Sequence, residues 1–133
     1  LAVEAAAQIE AGTAIYTPQD HTQATQAPML SKAMSPVDWT RTAQEVFNHI
    51  RGLYPWPGAS TTAITGEPIK LWGAQVVEKH TDAGPGTIVA AGKQGIDVAC
   101  GEFNHILRIL ELQPPGKKRM TAAAYLAGNP IQI

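Results

Sequence analysis

His49-Ile50-Arg51-Gly52-Leu53-Tyr54-Pro55-Trp56-Pro57-Gly58 divides the chain into two parts of different character. Upstream of it, Ala43, Val46, Phe47, Ile50 and Leu53 or Tyr54 recur at i, i+3, i+4 spacing, the period of a helix with one buried face. Thr42 and Glu45 have the spacing of a capping box, in which hydroxyl and carboxylate satisfy orphan backbone amides; Asp38 and Thr40 are competing start signals. Pro55 and Pro57 forbid continuation, so the helix should end near Gly52. The apolar neighbours of Trp56 predict a core position at the joint between helix and sheet, with Tyr54 beside it. On that reading Trp56→Ala costs about 3 kcal/mol or more, as for other buried aromatics.

Downstream the period shortens. Ala59–Thr65 and Ile69–Val77 read as a hairpin around Gly66-Glu67. Gly86–Ala90 and Ile96–Cys100 flank a tight turn at Gly92–Gly95, and Ile106–Leu112 is a fifth strand whose alternation slips at Ile109-Leu110, the mark of a bulge. Thr121–Ala127 reads as a short helix with Thr121 as cap and Gly128 as stop. Short strands with flanking helices predict a mainly β fold, a small antiparallel β-barrel resembling an OB-fold. Twelve Gly and ten Pro in 133 residues favour such a turn-rich architecture over a helical bundle.

The first part of the chain reads differently. Residues 1–12 contain strong helix formers closed by Gly12, and 13–37 is a Thr-, Gln-, Ala- and Pro-rich extended linker. Residues 38–133 form the barrel domain. The chain begins with Leu1 in mid-helix pattern, so residues 1–12 are expected to be the last helix of a domain lying upstream.

Charge follows the same division. The formal net charge of −1 combines −3 over residues 1–38 (four acids, Lys32) with +2 over 39–133 (seven acids, nine bases). The single cysteine, Cys100, excludes an intrachain disulfide and, following Val98 and Ala99, reads as a small hydrophobe. His21, His49, His80 and His105 lack metal-ligand spacing. Gly84-Pro85-Gly86 lacks the third glycine of a dinucleotide site and reads as a turn. No apolar run approaches the ~20 residues of a membrane span, and a cytoplasmic, monomeric protein is expected.

The functional candidate is Lys117-Lys118-Arg119 after Pro114-Pro115-Gly116. Three adjacent cations cannot all face a core. The plain reading is a solvated loop. The sharper one is a phosphate clamp extended by Lys93, Lys70, Arg51 and Arg41, since basic turns of small barrels grip sugar-phosphate backbones. Trp39, Trp56 and Trp72 could stack on bases, but the apolar context of Trp56 and Trp72 favours the core.

Several stretches together resemble one family. Asp38-Trp39, Asn48-His49-Ile50-Arg51-Gly52-Leu53-Tyr54-Pro55-Trp56-Pro57-Gly58-Ala59, Gly86-Thr87-Ile88-Val89 and Leu112-Gln113-Pro114-Pro115-Gly116-Lys117-Lys118-Arg119-Met120 are similar, in order and spacing, to the C-terminal region of methionyl-tRNA formyltransferases. The resemblance implies a barrel that holds initiator methionyl-tRNA for an N-terminal catalytic domain. That domain would use 10-formyltetrahydrofolate, in the bacterial cytoplasm or an organelle. It implies no catalytic residue, metal or bound cofactor within this chain, which alone would be inactive. The linker departs from the family in carrying Lys32 as its one Lys or Arg. Two other readings remain open: an accessory barrel of another formyl-transfer enzyme, acting on a nucleotide sugar or on formyltetrahydrofolate, or a stand-alone interaction barrel.

Overall fold

The computed structural model describes residues 1–133. Three helices, α1 (Ala2–Glu10), α2 (Ala43–Gly52) and α3 (Ala122–Gly128), accompany six strands. These are β1 (Ala59–Thr61), β2 (Ile69–Glu78), β3 (Ile88–Gly92), β4 (Gly95–Ala99), β5 (His105–Gln113) and β6 (Met120–Thr121).

The helix ahead of the Pro-Trp-Pro stretch forms for the reason its sequence gives. Thr42 Oγ1 accepts from the Glu45 amide at 3.2 Å, and Glu45 Oε2 accepts from the Thr42 amide at 3.0 Å, closing the capping box. Ala43, Val46 and Ile50 are its buried stripe. Its start is tied to the sheet by Glu102 Oε1, which accepts from the Ala43 amide at 2.8 Å, and by Gly101, whose amide donates to Arg41 O at 2.8 Å. A Cβ at Gly101 would collide with Thr40 O, so only glycine lets the β4–β5 loop approach this closely.

β5 is the axis of the sheet. It pairs antiparallel with β2 on one side and with β4 and β6 on the other, giving the order β1-β2-β5-β4-β3 with β6 on β5. The register carries Gly73↔Glu111 next to Ala74↔Ile109, so Leu110 is the extra residue at the slip. This is the bulge that the broken alternation at Ile109-Leu110 predicts. Its counterpart on β2 is Trp72, between Leu71↔Leu112 and Gly73↔Glu111. The second bulge lets Leu71 and Ala74 both pack on the core, a spacing of three that a plain strand cannot provide.

β3 does not pair with β1. The expected mainly antiparallel β fold with flanking helices is present, with its barrel left open between β1 and β3, and the β1 edge is taken by the incoming chain. Ser60 donates to Ser35 O at 2.7 Å and accepts from the Val37 amide at 2.9 Å, forming an isolated parallel bridge. Met34, Val37 and Trp39 pack against the core, and Trp39 Nε1 donates to Thr61 Oγ1 at 3.0 Å. Residues 34–37, in the stretch with linker composition, thus form part of the sheet's edge. Residues 15–33 are exposed, with a one-turn 3-10 segment at His21–Gln23 within the stretch and another at Lys32–Met34 at its end. α1 buries no residue; Leu1, Val3 and Ile9 are all exposed.

The core lies between α2, α3 and the concave face of the sheet. Ile69, Leu71, Ile96, Val98, Leu107, Ile109 and Leu112 are each at most 1% exposed. Cys100 belongs to this cluster, and burial raises its thiol pKa to about 11. Asp97 is the buried charge of β4, at 2% exposure. It receives Arg108 Nε at 2.6 Å, Arg108 Nη2 at 3.0 Å and Lys79 Nζ at 3.3 Å. Burial pushes its carboxyl pKa up, but the hydrogen bonds from Arg108 and Lys79 outweigh that and hold it below the usual carboxylate value.

The Pro-Trp-Pro stretch departs from expectation. Leu53 is buried at 4% exposure, and the Gly58 amide returns to Leu53 O at 3.0 Å, pinning both ends of the turn. Tyr54–Pro55 and Trp56–Pro57 are both cis. The rings of Tyr54 and Trp56, however, point outward, at 56% and 52% exposure. Trp56 is therefore not a core residue, and the stability cost expected of a buried tryptophan does not apply to it. The joint is made by Leu53 and the buried Pro57 and Gly58 instead.

Candidate nucleic-acid interface

Trp72, turned outward at its bulge, joins the two stretches that carry the sequence signature. Its Nε1 donates to Gln113 Oε1 at 2.9 Å, and Gln113 Nε2 donates to Lys117 O at 2.8 Å, so the indole holds the basic loop through one intermediary. Tyr54 meets it edge-on at 5.8 Å between ring centroids. Gly58 lies so close that a Cβ there would be 3.1 Å from the indole, and its φ of +77° also favours glycine. Lys70 Nζ stands 5.5 Å from the ring centroid and the Arg119 guanidinium 5.9 Å. The result is an exposed platform of aromatic rings edged by cations.

Four of the seven candidate cations gather here. Lys117 and Lys118 are exposed on the loop that Gln113 tethers. Lys70 is exposed on β2, and the Lys70/Gln113 pair of the ladder places it next to that loop. Arg119 is less free than a loop residue would be. Its Nε donates to Glu111 Oε2 at 2.7 Å, its Nη2 reaches the same oxygen, and these hydrogen bonds raise its pKa. It acts as a strut between sheet and loop, and its half-exposed guanidinium keeps one side toward solvent.

The remaining candidates lie farther out. Lys93 tips the two-residue turn between β3 and β4 and lines a hollow with Glu111, Thr121 and Ala123, on the opposite flank of Glu111 from Trp72. Arg51 is held on the outside of α2 by Asn48 Oδ1 at 2.9 Å and lies over Phe47. Arg41 sits at the far end of α2, 3.6 Å from Asp38. Arg41 precedes the N-cap Thr42 while Arg51 is in the last turn, so most of the helix, on the order of 12–15 Å, separates them and the two do not form one patch. Sequence reasoning placed Trp72 in the core and had no reason to single out Gln113 or Glu111. The available signal was the i, i+2 spacing of Lys70 and Trp72, which puts both on one face of a strand.

With this geometry in view, comparison with known proteins assigns the class. The family model described as "Formyl transferase, C-terminal domain" matches residues 29–130, and the chain belongs to that family. It is 44% identical over 123 residues to the methionyl-tRNA formyltransferase of Desulfotalea psychrophila, covering 92% of this chain and 37% of that protein. It is 40% identical over 129 residues to that of Bacillus subtilis, covering 97% and 40%. With that of Agathobacter rectalis the identity is 42% over 132 residues, covering 99% and 42%. The chain thus spans about two fifths of the length of these relatives. The fold is also found in HypX from Aquifex aeolicus, with a TM-score of 0.60 at 19% identity, covering 96% of this chain and 22% of that one. No helix is long and apolar enough to cross a membrane.

Proposed function

We propose that this chain is the tRNA-holding part of a methionyl-tRNA formyltransferase, an enzyme that formylates initiator methionyl-tRNA from 10-formyltetrahydrofolate. The observation that carries the reading is the convergence of Lys70, Lys117, Lys118 and Arg119 around Trp72. Lys70 and Arg119, held against the indole, and the loop that carries Lys117 and Lys118, tethered by Gln113, lose less freedom on meeting a phosphate backbone. No catalytic role is assigned to any residue. The formyl donor would be bound and the transfer performed in the portion of the relatives that this chain does not align with.

Counterion release supplies the test. Three to four phosphate contacts give a slope of about −3 in log K against log salt, or a loss of roughly 60-fold between 50 and 200 mM salt. Filter binding of initiator tRNA should show it. Lys117→Glu with Lys118→Glu should cut the slope to about −1. Binding that ignores salt, or that survives the double reversal, would overturn the assignment.

A further inference from the structure

We propose that Trp56 is a stacking platform for an unpaired base, flanked by Tyr54 and placed beside the phosphate-gripping loop. This rests on the RNA-binding reading above and adds to it a preference for single-stranded over paired RNA.

Three observations carry it. First, both ends of the turn are pinned, by Leu53 and by the buried Pro57 and Gly58, while each intervening aromatic residue is more than half exposed. Aromatic rings held in water on a fixed backbone are the exception on a protein surface and mark contact sites. Second, Trp72 already has Lys70 and Arg119 over its ring, and Tyr54 meets it edge-on. Trp72 is therefore half-buried and already engaged, and it organises the site. Trp56, two residues from Tyr54 and two from Gly58, both of which adjoin Trp72, is the more exposed of the two indoles. Third, the surroundings are lysine-rich. Lysine is depleted where protein partners dock, whereas cations edging an aromatic ring suit a nucleotide, with phosphate on the cation and base on the ring. A paired base already has both faces covered by its neighbours, so the ring can take only an unpaired or terminal one.

The experiment compares the 133-residue chain and its variants on two RNAs, a blunt duplex and the same duplex with a four-nucleotide 3′ overhang, at low salt. The wild type should bind the overhang RNA more tightly. Trp56→Ala and Trp56→Leu should each weaken overhang binding about tenfold and blunt-duplex binding less than about twofold, and Trp56→Phe should restore the difference. Thermal melts should place all three variants within a few degrees of the wild type, because the ring is exposed. Lys117→Glu with Lys118→Glu should weaken both RNAs by the same factor. If that charge reversal weakens both RNAs but Trp56→Ala leaves their ratio unchanged, RNA binding stands and stacking fails. If Trp56→Leu keeps the preference, the ring serves as apolar bulk and stacking again fails. If the wild type binds neither RNA, both readings fall.

Discussion

Replacing Trp72 by alanine should unfasten the basic loop from the sheet. The substitution removes the donor to Gln113 at 2.9 Å, worth about 1 kcal/mol, and the edge-on contact with Tyr54 at 5.8 Å, worth about the same. It also removes two cation contacts with Lys70 and Arg119, of about 0.5 kcal/mol each at an exposed site. The half-buried indole also covers on the order of 100 Å² of apolar surface, at about 25 cal/mol per Å². These contributions overlap, and the net loss should be about 3–5 kcal/mol, in the range seen for Trp→Ala. At about 4 °C per kcal/mol for a domain of this size, the melting temperature should fall by roughly 12–20 °C. Trp72→Phe keeps the ring and loses the N–H, so it should cost about 1–2 kcal/mol. Circular-dichroism melts measure both. Initiator-tRNA binding should also weaken in Trp72→Ala at a temperature where the variant is still folded, because Gln113 loses the partner that positions it against Lys117. A melt within about 2 °C of the wild type, with unchanged tRNA affinity, would refute the role of Trp72 as the fastening point.

Other consequences follow from single contacts. Asp97→Asn leaves Arg108 facing a neutral partner in a largely buried position and should cost about 3 kcal/mol at pH 7. Because the folded carboxyl pKa lies below the usual value, the stabilisation is full above the unfolded-chain value near about 3.9 and fades as pH falls through the lower folded value. Urea midpoints should therefore differ most between wild type and Asp97→Asn above pH 5 and draw together as the pH falls below about 3.9; a gap that widens in acid contradicts the pairing. Thr42→Ala removes the hydroxyl that accepts from the Glu45 amide and should lower stability by about 1 kcal/mol, read from the same urea curves. The Cys100 thiol, raised from 9.0 to about 11, should react with a chromogenic disulfide reagent at pH 8 about 100-fold more slowly than an ordinary thiol; reaction at the ordinary rate would show the β4 end open to solvent.

Local signals were legible in the sequence wherever neighbours along the chain decide the outcome. The Thr42/Glu45 capping box, the hairpin after Gly58, the slip at Leu110 and the Thr121 cap of α3 all depend on residues within a few positions of one another. Contacts set across the sheet were not legible. The apolar neighbours of Trp56 resemble those of a core residue, yet the pinning of Leu53 and Gly58 swings its ring outward. Trp72 and Gln113 are 41 positions apart, and their pairing depends on the register of β2 against β5, which a bulge shifts by one residue. The pairing of Arg108 with Asp97 likewise needs the β4–β5 ladder that sets them opposite each other. The two-residue β6 is too short to have any periodicity. Met34 to Val37 has the composition of linker, and its place on the edge of β1 comes from the free hydrogen-bonding groups of Ser60. Of the candidate cations, Lys117, Lys118, Arg119 and Lys70 converge because one loop and one strand meet at Trp72, while Arg41 and Arg51 lie at the two ends of α2, along a separate axis.

The parallel bridge at Ser60 also acts as a mooring point. It fixes where the exposed run of residues 15–33 leaves the sheet, so α1 is confined to a sphere around that edge. A coil of that length has a root-mean-square span of about 25 Å. Within such a radius the local concentration of one end around the other is in the millimolar range. A partner gripped weakly at the Trp72 platform would meet anything attached to α1 as an intramolecular neighbour, and modest affinity at each end would suffice. Cutting the bridge by Val37→Pro, which removes the amide that donates to Ser60 O, would lengthen the tether and dilute that encounter while leaving every residue of the platform in place.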